Sequence, residues 1–324
     1  MSHRPAYHYT PARNFMNDPN GLVWAHGRFH LFHQYNPFGA TWGHMSWGHA
    51  VSKDLVRWQP LPLALAEEGG IMIFSGSAVV DWKNTSGFGK GGKPPLVAIY
   101  TGHREGRQDQ RLAYSTDRGR TWTKYAGNPV LDLKKADFRD PKVFWHAPTS
   151  RWVMAVVLSP EHQVQFYTSP DLKRWTFAST FGPAGSTDGI WECPDLFELP
   201  VEGGGTRWVL VVNMNPGGPA GGSGTQYFTG TFDGTRFVAE GDAVTPRWAD
   251  FGADFYAGVS WNDVPAADGR RVWLGWMSNW TYAQAVPTSP WRSGMTVPRT
   301  LALRPSADGL RLVQRPVREL ETLR

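Results

Sequence analysis

Three acidic residues stand in short motifs that could carry catalysis. They are Asp18 in MNDPNG, Asp140 in FRDPKVFW and Glu192 in IWECPDLFEL. Retaining glycoside hydrolysis needs an ionised carboxylate as nucleophile and a protonated carboxyl as acid, about 5–5.5 Å apart. Glu192 has apolar neighbours, as a buried acid requires, and Arg139 would keep Asp140 ionised. The three carboxylates therefore make glycoside hydrolysis a candidate chemistry.

Each of these residues also has a structural interpretation, which is favoured while each is considered singly. Asp18 would only hydrogen-bond its own turn, as Asp before Pro often does. Asp140 would only pair with Arg139. Glu192 would lie on a rim beside Asp195. A catalytic role therefore depends on a fold that brings the three carboxylates together.

The MNDPNG stretch, residues 16 to 21, has the composition of a tight turn. Pro19 fixes one backbone dihedral, and Asn20 and Gly21 can accept positive φ values. We therefore predict a bend here, and the bend would hold Asp18 in place.

The elements that would position these residues are short strands. Apolar or alternating runs are separated by Gly, Pro, Asn and Asp, which is typical of strands joined by turns. The runs are GLVWAHGRFHLFHQY, SGSAVVDW, PLVAIYTG, RWVMAVVLS, RWVLVVNM and RRVWLGWMS. Only VRELETL, at the end of the sequence, has a helical pattern. We therefore predict an all-β protein.

An Asp-containing turn followed by an aromatic residue recurs along the chain. It occurs as SKDLVRW, STDRGRTW, TSPDLKRW and FDGTRF, whose last residues are 64, 53 and 62 positions apart. Such a repeat is typical of four-stranded propeller blades, and the length allows about five of them. A β-sandwich with similar hairpins is the alternative. The carboxylates are 122 and 52 positions apart, near two blades and one, so a five-bladed β-propeller would gather them at its axis.

The composition argues against several classes of function. The 41% hydrophobic share fits a soluble globular protein, and no run reaches the roughly 18 apolar residues of a membrane helix. The pI of 9.3 comes from 33 Lys+Arg against 28 Asp+Glu. These basic residues are scattered, so we expect no nucleic-acid partner. Cys193 is the single cysteine, which excludes an internal disulfide, and 17 Trp residues offer flat faces for sugar rings.

Two motifs could suggest a metal or a nucleotide, and neither is convincing. His26, His30 and His33 are close in sequence, but no Cys or carboxylate cluster joins them. GFGKGGKP, residues 87 to 94, has Pro94 where a phosphate-binding loop needs Ser or Thr. We therefore expect no metal and no cofactor.

The first residues, MSHRPAYHYTPARNF, lack the apolar stretch of a signal peptide. We expect a secreted protein whose signal peptide has been removed or lies outside this sequence, with a cytoplasmic location as the alternative. The oligomeric state has no signature in the sequence.

A combination of motifs resembles a known family. FMNDPNG, FHQYNP, FSGS, FRDPKV and WECPDLF, in that order, are similar to glycoside hydrolase family 32, the β-fructofuranosidases. Any one motif alone would be weak, but the ordered set is specific and the resemblance runs from about residue 5 to 320. The stretch GWMSNWTYAQAVPTSPWRSGMTVPR most resembles bacterial levanases and exo-acting fructan hydrolases.

The resemblance implies a five-bladed β-propeller and a double-displacement, retaining mechanism. By motif, Asp18 would be the nucleophile, Glu192 the acid/base and Asp140 the transition-state stabiliser. Substrate contacts are implied for Asn17, Gln34, Trp42, Phe74, Ser75, Arg139, Asp254 and Trp280. Asp254 and Trp280 stand in less rigid motifs than the others.

The implied activity is cleavage of β-fructofuranosyl linkages in levan or inulin, and also in sucrose, with release of fructose from the chain end. The alternatives are a fructosyltransferase using the same residues, a carbohydrate-binding propeller without hydrolysis, and a related propeller glycosidase acting on arabinan or xylan. The choice between β-2,6 and β-2,1 linkages stays open.

The resemblance also bears on domain organisation. Residues 1–312 would form the catalytic propeller, and residues 313–324 a tail or the start of a linker. Family members continue into a C-terminal β-sandwich, which we expect to be absent from this sequence.

Overall fold

The protein is built almost entirely from strands. The computed structural model describes residues 3–324. Its strands are β1 (Asn14–Ala25), β2 (Arg28–Tyr35), β3 (Ser46–Ser52), β4 (Trp58–Leu65), β5 (Met72–Val80), β6 (Leu96–Arg104), β7 (Arg107–Ser115), β8 (Thr123–Lys124), β9 (Leu131–Lys135), β10 (Phe138–His146), β11 (Arg151–Leu158), β12 (Gln163–Ser169), β13 (Thr176–Phe181), β14 (Ile190–Pro200), β15 (Thr206–Asn215), β16 (Gly224–Phe232), β17 (Phe237–Ala239), β18 (Tyr256–Ser260), β19 (Arg271–Trp276), β20 (Trp291–Arg292), β21 (Arg299–Ser306) and β22 (Gly309–Pro316). A short 3-10 helix, Arg318–Leu323, follows them.

These strands form five antiparallel sheets, which are the blades of a β-propeller. The blades have the orders β1-β2-β3-β4, β5-β6-β7-β8, β10-β11-β12-β13, β14-β15-β16-β17 and β18-β19-β21-β22. Strand β20 adds to the first blade in parallel with β1, and β9 pairs with β7 in the second. The predicted all-β fold and five-bladed β-propeller are therefore confirmed.

The repeated Asp turn joins the third and fourth strands of a blade. In the first blade the Oδ1 atom of Asp54 accepts the backbone N–H groups of Val56 and Arg57, at 3.1 and 2.8 Å. Asp171 does the same for Lys173 and Arg174 in the third blade. An Asp side chain thus replaces backbone partners at the tight corner, which explains the repeat in the sequence.

The core lies between neighbouring blades rather than inside any one of them. Five apolar clusters each combine side chains of two adjacent blades; Trp191, for example, packs with Val153 and Phe166 across the third and fourth. Met16 and Trp261 belong to the cluster that joins the first blade to the fifth. The ring is therefore closed by apolar packing as well as by β20.

The innermost strand of every blade contains a β-bulge. At each bulge the inner strand advances by three residues while its partner strand advances by two. The bulged pairs are Asn17-Asp18, Phe74-Ser75, Asp140-Pro141, Cys193-Pro194 and Ala257-Gly258. A bulge re-aims side chains and tightens local twist, so five strands present residues at one level of the axis.

The prediction that MNDPNG forms a turn is wrong. Residues 16 to 21 lie within β1, which has a second irregularity between Asn20 and Val23. The two bulges accommodate Pro19, which has no N–H for the ladder, and Gly21, whose φ is 56°. Proline and glycine are therefore suited to a bulge for the same reasons that they are suited to a turn.

The last blade extends beyond residue 312. Strand β22 pairs with β21 as far as Pro316, and the predicted end of the propeller at residue 312 falls inside this strand. Val317 is buried and Leu320 packs on the cluster between the first and fifth blades. The segment 313–324 is thus packed on the propeller. Within residues 3–324 no helix is long and apolar enough to cross a membrane.

Candidate active site

The five bulges surround one end of the propeller axis, and the three predicted carboxylates meet there. Each of Asp18, Ser75, Asp140, Cys193 and Ala257 is directly followed by Pro or Gly. Asp140, Cys193 and Ala257 have positive φ values of 65°, 43° and 52°. Left-handed backbone at non-glycine residues is uncommon and is often retained where side-chain placement matters. The bulges therefore determine where the reactive groups lie.

Asp18 is buried and held by two close donors, with the thiol of Cys193 as a third. The Oγ atom of Ser75 donates to its Oδ2 atom at 2.7 Å, and the Nδ2 atom of Asn17 donates to Oδ1 at 3.1 Å. Burial raises the pKa of Asp18; the two donors oppose this rise, and the charge of Glu192 adds to it. The donors fix the direction of the carboxylate at the base of the site.

The thiol of Cys193 lies between two of the carboxylates. Its Sγ atom is 3.4 Å from Oδ2 of Asp18 and 3.6 Å from Oδ2 of Asp140. The backbone N–H of Cys193 also donates to Oδ2 of Asp140, at 2.9 Å. Burial, followed by the charges of Asp140 and Asp18, raises the pKa of this thiol well above its ordinary value, so it stays protonated as a donor.

Arg139 contacts Glu192 more closely than it contacts Asp140. Its Nη2 atom is 3.1 Å from Oε1 of Glu192, whereas its Nε atom is 3.9 Å from Oδ2 of Asp140. Its Nη1 atom donates to Asp137 at 2.8 Å. The hydroxyl of Tyr256 donates to Oε2 of Glu192. Donors on both oxygens therefore orient Glu192 over the site.

The expectation that Arg139 keeps Asp140 ionised is not supported. Burial raises the pKa of Asp140 to about 7; Arg139 acts in the opposite direction, and the charges of Glu192 and Asp18 contribute to the rise. The guanidinium is shared among several acids, so it does not offset the desolvation of Asp140. Asp140 is therefore a carboxyl that can change protonation near neutral pH.

A funnel of about 270 Å³ opens above these groups. Ten of the eleven predicted site residues line it: Asn17, Asp18, Gln34, Trp42, Phe74, Ser75, Arg139, Asp140, Glu192 and Trp280. Asp254 is outside this lining; it is exposed and accepts a hydrogen bond from the hydroxyl of Tyr282. The structure thus brings together all predicted residues but one.

Several residues at the site were missed by sequence reasoning. Ile190, Asn215 and Gln284 complete the lining of the funnel. Gln284 accepts the backbone N–H of Trp42 at 3.1 Å, from a segment 242 positions away. Tyr256 stands one residue before Ala257-Gly258, so the recurring residue-then-Pro/Gly pattern was the signal that could have located it.

The aromatic rim and the polar floor have different chemistry. Phe74 stacks on His103 with ring centroids 4.3 Å apart, and Trp280 packs against Trp276 at 4.8 Å. Gln34 donates to Asn20 and to the backbone oxygen of Ile73, at 2.8 and 3.0 Å. Flat apolar faces above hydrogen-bonding groups suit a ring that carries hydroxyls. No cluster of metal ligands was found among residues 3–324.

Converging carboxylates, two with distinct hydrogen-bonding environments, define the site as one of the glycoside hydrolase class. The chain belongs to glycosyl hydrolase family 32, because the model of that family's N-terminal domain matches residues 8–316.

Relatives of known name support this membership. The chain is 58% identical over 326 residues to a levanase from Bacillus subtilis, a match covering 99% of this chain and 48% of the levanase. It is 47% identical to an extracellular exo-inulinase from Aspergillus niger, covering 97% of this chain and 64% of the relative. The chain thus spans about half to two thirds of the length of these proteins.

Solved structures agree with the fold. A crystal structure of exo-inulinase from Aspergillus awamori superposes with a TM-score of 0.94 at 45% identity, over 98% of this chain and 67% of that one. A fructofuranosidase from Schwanniomyces occidentalis, complexed with fructose, gives a TM-score of 0.92 at 43% identity, over 97% of this chain and 63% of that one.

Proposed function

We propose that this protein is a retaining, exo-acting hydrolase that releases fructose from the ends of fructans. The observation that carries the proposal is the funnel itself, where Asp18, Asp140 and Glu192 meet beneath an aromatic rim. The levanase, the exo-inulinase and the fructose-bound relative support fructose as the sugar. Levan or inulin is the proposed substrate class, with sucrose as a smaller substrate.

In the first step, Asp18 attacks the anomeric carbon of the terminal fructose. The bond from that carbon to the leaving oxygen breaks, and Glu192 transfers its proton to this oxygen. Ser75 and Asn17 hold the attacking carboxylate in position. The product of this step is a fructosyl ester of Asp18 and a chain that is one sugar shorter.

In the second step, water takes the place of the leaving chain. Glu192, now ionised, accepts a proton from the water, whose oxygen attacks the anomeric carbon and releases Asp18 as a carboxylate. Arg139 and Tyr256 hold Glu192 where it can serve in both steps. Two inversions at one carbon leave its configuration unchanged.

Asp140 is proposed to bind fructose hydroxyls while positive charge develops on the ring. Its Oδ2 atom is held by the backbone N–H of Cys193, so the carboxylate is already oriented. An oriented charge stabilises a cationic transition state without reorganisation cost. This role requires the ionised form, which is lost as pH falls below the pKa of about 7 in the free protein.

The size of the funnel favours exo action. Its volume of about 270 Å³ is below the roughly 300–1,000 Å³ of sites for drug-sized ligands, so it suits one terminal sugar. The rest of a polymer would lie outside the rim. An endo-acting enzyme needs a cleft open at both sides of the cleaved bond.

Product analysis tests the proposal directly. Levan, inulin and sucrose are each incubated with the protein, and products are separated by chromatography over time. Free fructose as the only early product from the polymers is expected. Early oligosaccharides would contradict exo action, and longer chains formed at high sucrose concentration would indicate transfer rather than hydrolysis.

Substitutions test the assigned roles. Asp18→Asn and Glu192→Gln should each lower kcat on sucrose by several orders of magnitude, whereas Asp242→Asn, an exposed acid outside the funnel, is the matched control. Glu192→Gln should keep much more activity on an aryl β-fructofuranoside, because a good leaving group needs little protonation. Equal losses on both substrates would remove Glu192 from the acid role.

Secretion is part of the proposal. The exo-inulinase relatives are named as extracellular proteins, and a polymeric substrate is met outside the cell. Fractionation of the source culture, with the protein detected in the medium, would test this point.

A further inference from the structure

A second and larger cavity lies at the opposite end of the propeller axis. The funnel is lined by residues near the start of the inner strands, such as Ser75 in β5 and Asp140 in β10. The second cavity, called here the lower cavity, is lined by residues at the other ends of the same strands, such as Val80 and His146. Its volume is about 690 Å³.

The two cavities are separated by a polar plug. The Nζ atom of Lys142 is 3.1 Å from Oδ1 of Asp195 and donates to the backbone oxygen of Ser260 at 2.7 Å. Asn262 donates to the backbone oxygens of Ala78 and Val143, both at 2.9 Å. The lower cavity is therefore distinct from the site that we assign to catalysis.

The walls of the lower cavity are aromatic, and one of them is held outward. Trp82 is 59% exposed, yet its indole N–H donates to Oδ1 of Asp263 at 3.0 Å, which fixes the ring. Trp208 packs on Phe232 at a centroid distance of 5.1 Å, and Lys83 lies 4.7 Å above the ring of Trp145. An exposed indole face held in one orientation is a surface on which a sugar ring can stack.

A half-buried guanidinium with spare donors faces the same space. Arg271 lines the cavity, and among residues 3–324 its one hydrogen bond runs from Nη1 to the backbone oxygen of Trp261, at 3.2 Å. A guanidinium has five N–H donors, so most of its capacity is unused. The remaining donors open onto the cavity, where the oxygen atoms of a ligand can accept from them.

The charges around the cavity indicate a neutral ligand. Arg271 and Lys83 are cations, whereas Glu198, Asp233 and Asp263 are acids on the same lining. An anion would meet three carboxylates and a cation would meet two basic groups. A polyol satisfies both signs, because each hydroxyl can donate and accept, and its apolar ring face stacks on indole.

We propose that the lower cavity is a second carbohydrate-binding site, which takes a short stretch of the same polymer whose end is hydrolysed in the funnel. This inference rests on the proposed function for the identity of the sugar. A long chain held at the lower face would raise the local concentration of chain ends near the funnel. A disaccharide such as sucrose would gain nothing from it.

Affinity electrophoresis in gels that contain levan or inulin tests the site. Glu192→Gln is used as the parent, so that the polymer is not consumed, and it is compared with Glu192→Gln carrying Trp82→Ala or Arg271→Gln. The control variant carries Phe177→Ala, at an exposed aromatic residue of β13 that lines neither cavity. Loss of one stacking contact should weaken retardation about five-fold.

Kinetics on the otherwise wild-type protein supply the second measurement. Trp82→Ala should raise KM for levan or inulin several-fold, with kcat on the polymer and kcat/KM on sucrose unchanged. Retardation and polymer KM equal to those of Phe177→Ala would overturn the inference, as would a cavity that binds inorganic phosphate instead. Failure of the proposed function would appear differently, as a wild-type protein without fructose release.

Discussion

Replacing Asp140 with Asn should abolish activity and yet make the protein more stable. Burial raises the pKa of this carboxyl from 3.8 to about 7, with Arg139 opposing the rise and the charges of Glu192 and Asp18 contributing to it. Ionised Asp140 is therefore less favourable in the folded protein than in the unfolded chain. At about 1.4 kcal/mol per pKa unit, the cost is up to about 4 kcal/mol.

The gain in stability of the Asp140→Asn variant should depend on pH. Because the folded pKa lies above the unfolded value, the folded protein binds more protons between pH 3.8 and about 7. The cost of the charge is complete above pH 7, shrinks as pH falls and is absent below about pH 3.8. The Asp140→Asn variant should therefore gain up to about 4 kcal/mol at pH 8 and almost nothing at pH 4.

Urea denaturation followed by tryptophan fluorescence at pH 4, 6 and 8 measures the effect. The exposed Glu321→Gln variant is the control for the loss of one acid, and fructose release from sucrose measures activity. An Asp140→Asn variant that is no more stable than wild type at pH 8 would refute the reasoning. It would mean that Arg139 and the N–H of Cys193 fully compensate the buried charge.

Three other predictions concern the surroundings of the site. Burial lowers the pKa of His33 to about 4, so this residue is neutral in the folded protein. Because the unfolded chain then binds more protons, His33 should lower the free energy of unfolding by up to roughly 3 kcal/mol as pH falls from 6.5 toward 4. Urea melts of His33→Gln should show a smaller fall over the same pH range. Ser75→Ala removes a charge-assisted hydrogen bond to Asp18 and should lower kcat about ten-fold or more with KM little changed, as steady-state assays on sucrose would detect. Lys142→Met leaves Asp195 buried without its cation and should cost about 3–5 kcal/mol in thermal or urea unfolding, and adding Asp195→Asn should recover part of that loss.

The strands and the blade repeat could be predicted because both depend on local chemistry. Apolar alternation and turn residues are visible in a single stretch, and RWVMAVVLS and RWVLVVNM become β11 and β15. The Asp turns recur because each corner needs its own side-chain acceptor. Structural requirements that involve only neighbouring residues can therefore be recognised in the sequence.

The bulges could not be predicted, since Pro, Asn and Gly serve turns and bulges equally. What separates the two is whether a partner strand continues past the irregularity, and β2 pairs with β1 on both sides of Asp18. That pairing involves residues up to Tyr35, beyond the MNDPNG motif. The ion-pair partner of Arg139 was unpredictable for the same reason. Glu192 belongs to the neighbouring blade and lies close to Arg139 only because the two blades pack side by side.

The five bulges also explain why ionised carboxylates at the site lower the stability of the folded protein. They place five buried side chains at one level of the axis, where any charged side chain loses most of its hydration. Two of the five positions hold Asp, and the others hold Ser75, Cys193 and Ala257, which are small and uncharged there. The raised pKa values of Asp18 and Asp140 follow from that placement rather than from any one neighbour. A third negative charge in this ring, such as Ala257→Asp, would be expected to take up a proton or to unfold the blade rather than add catalytic power.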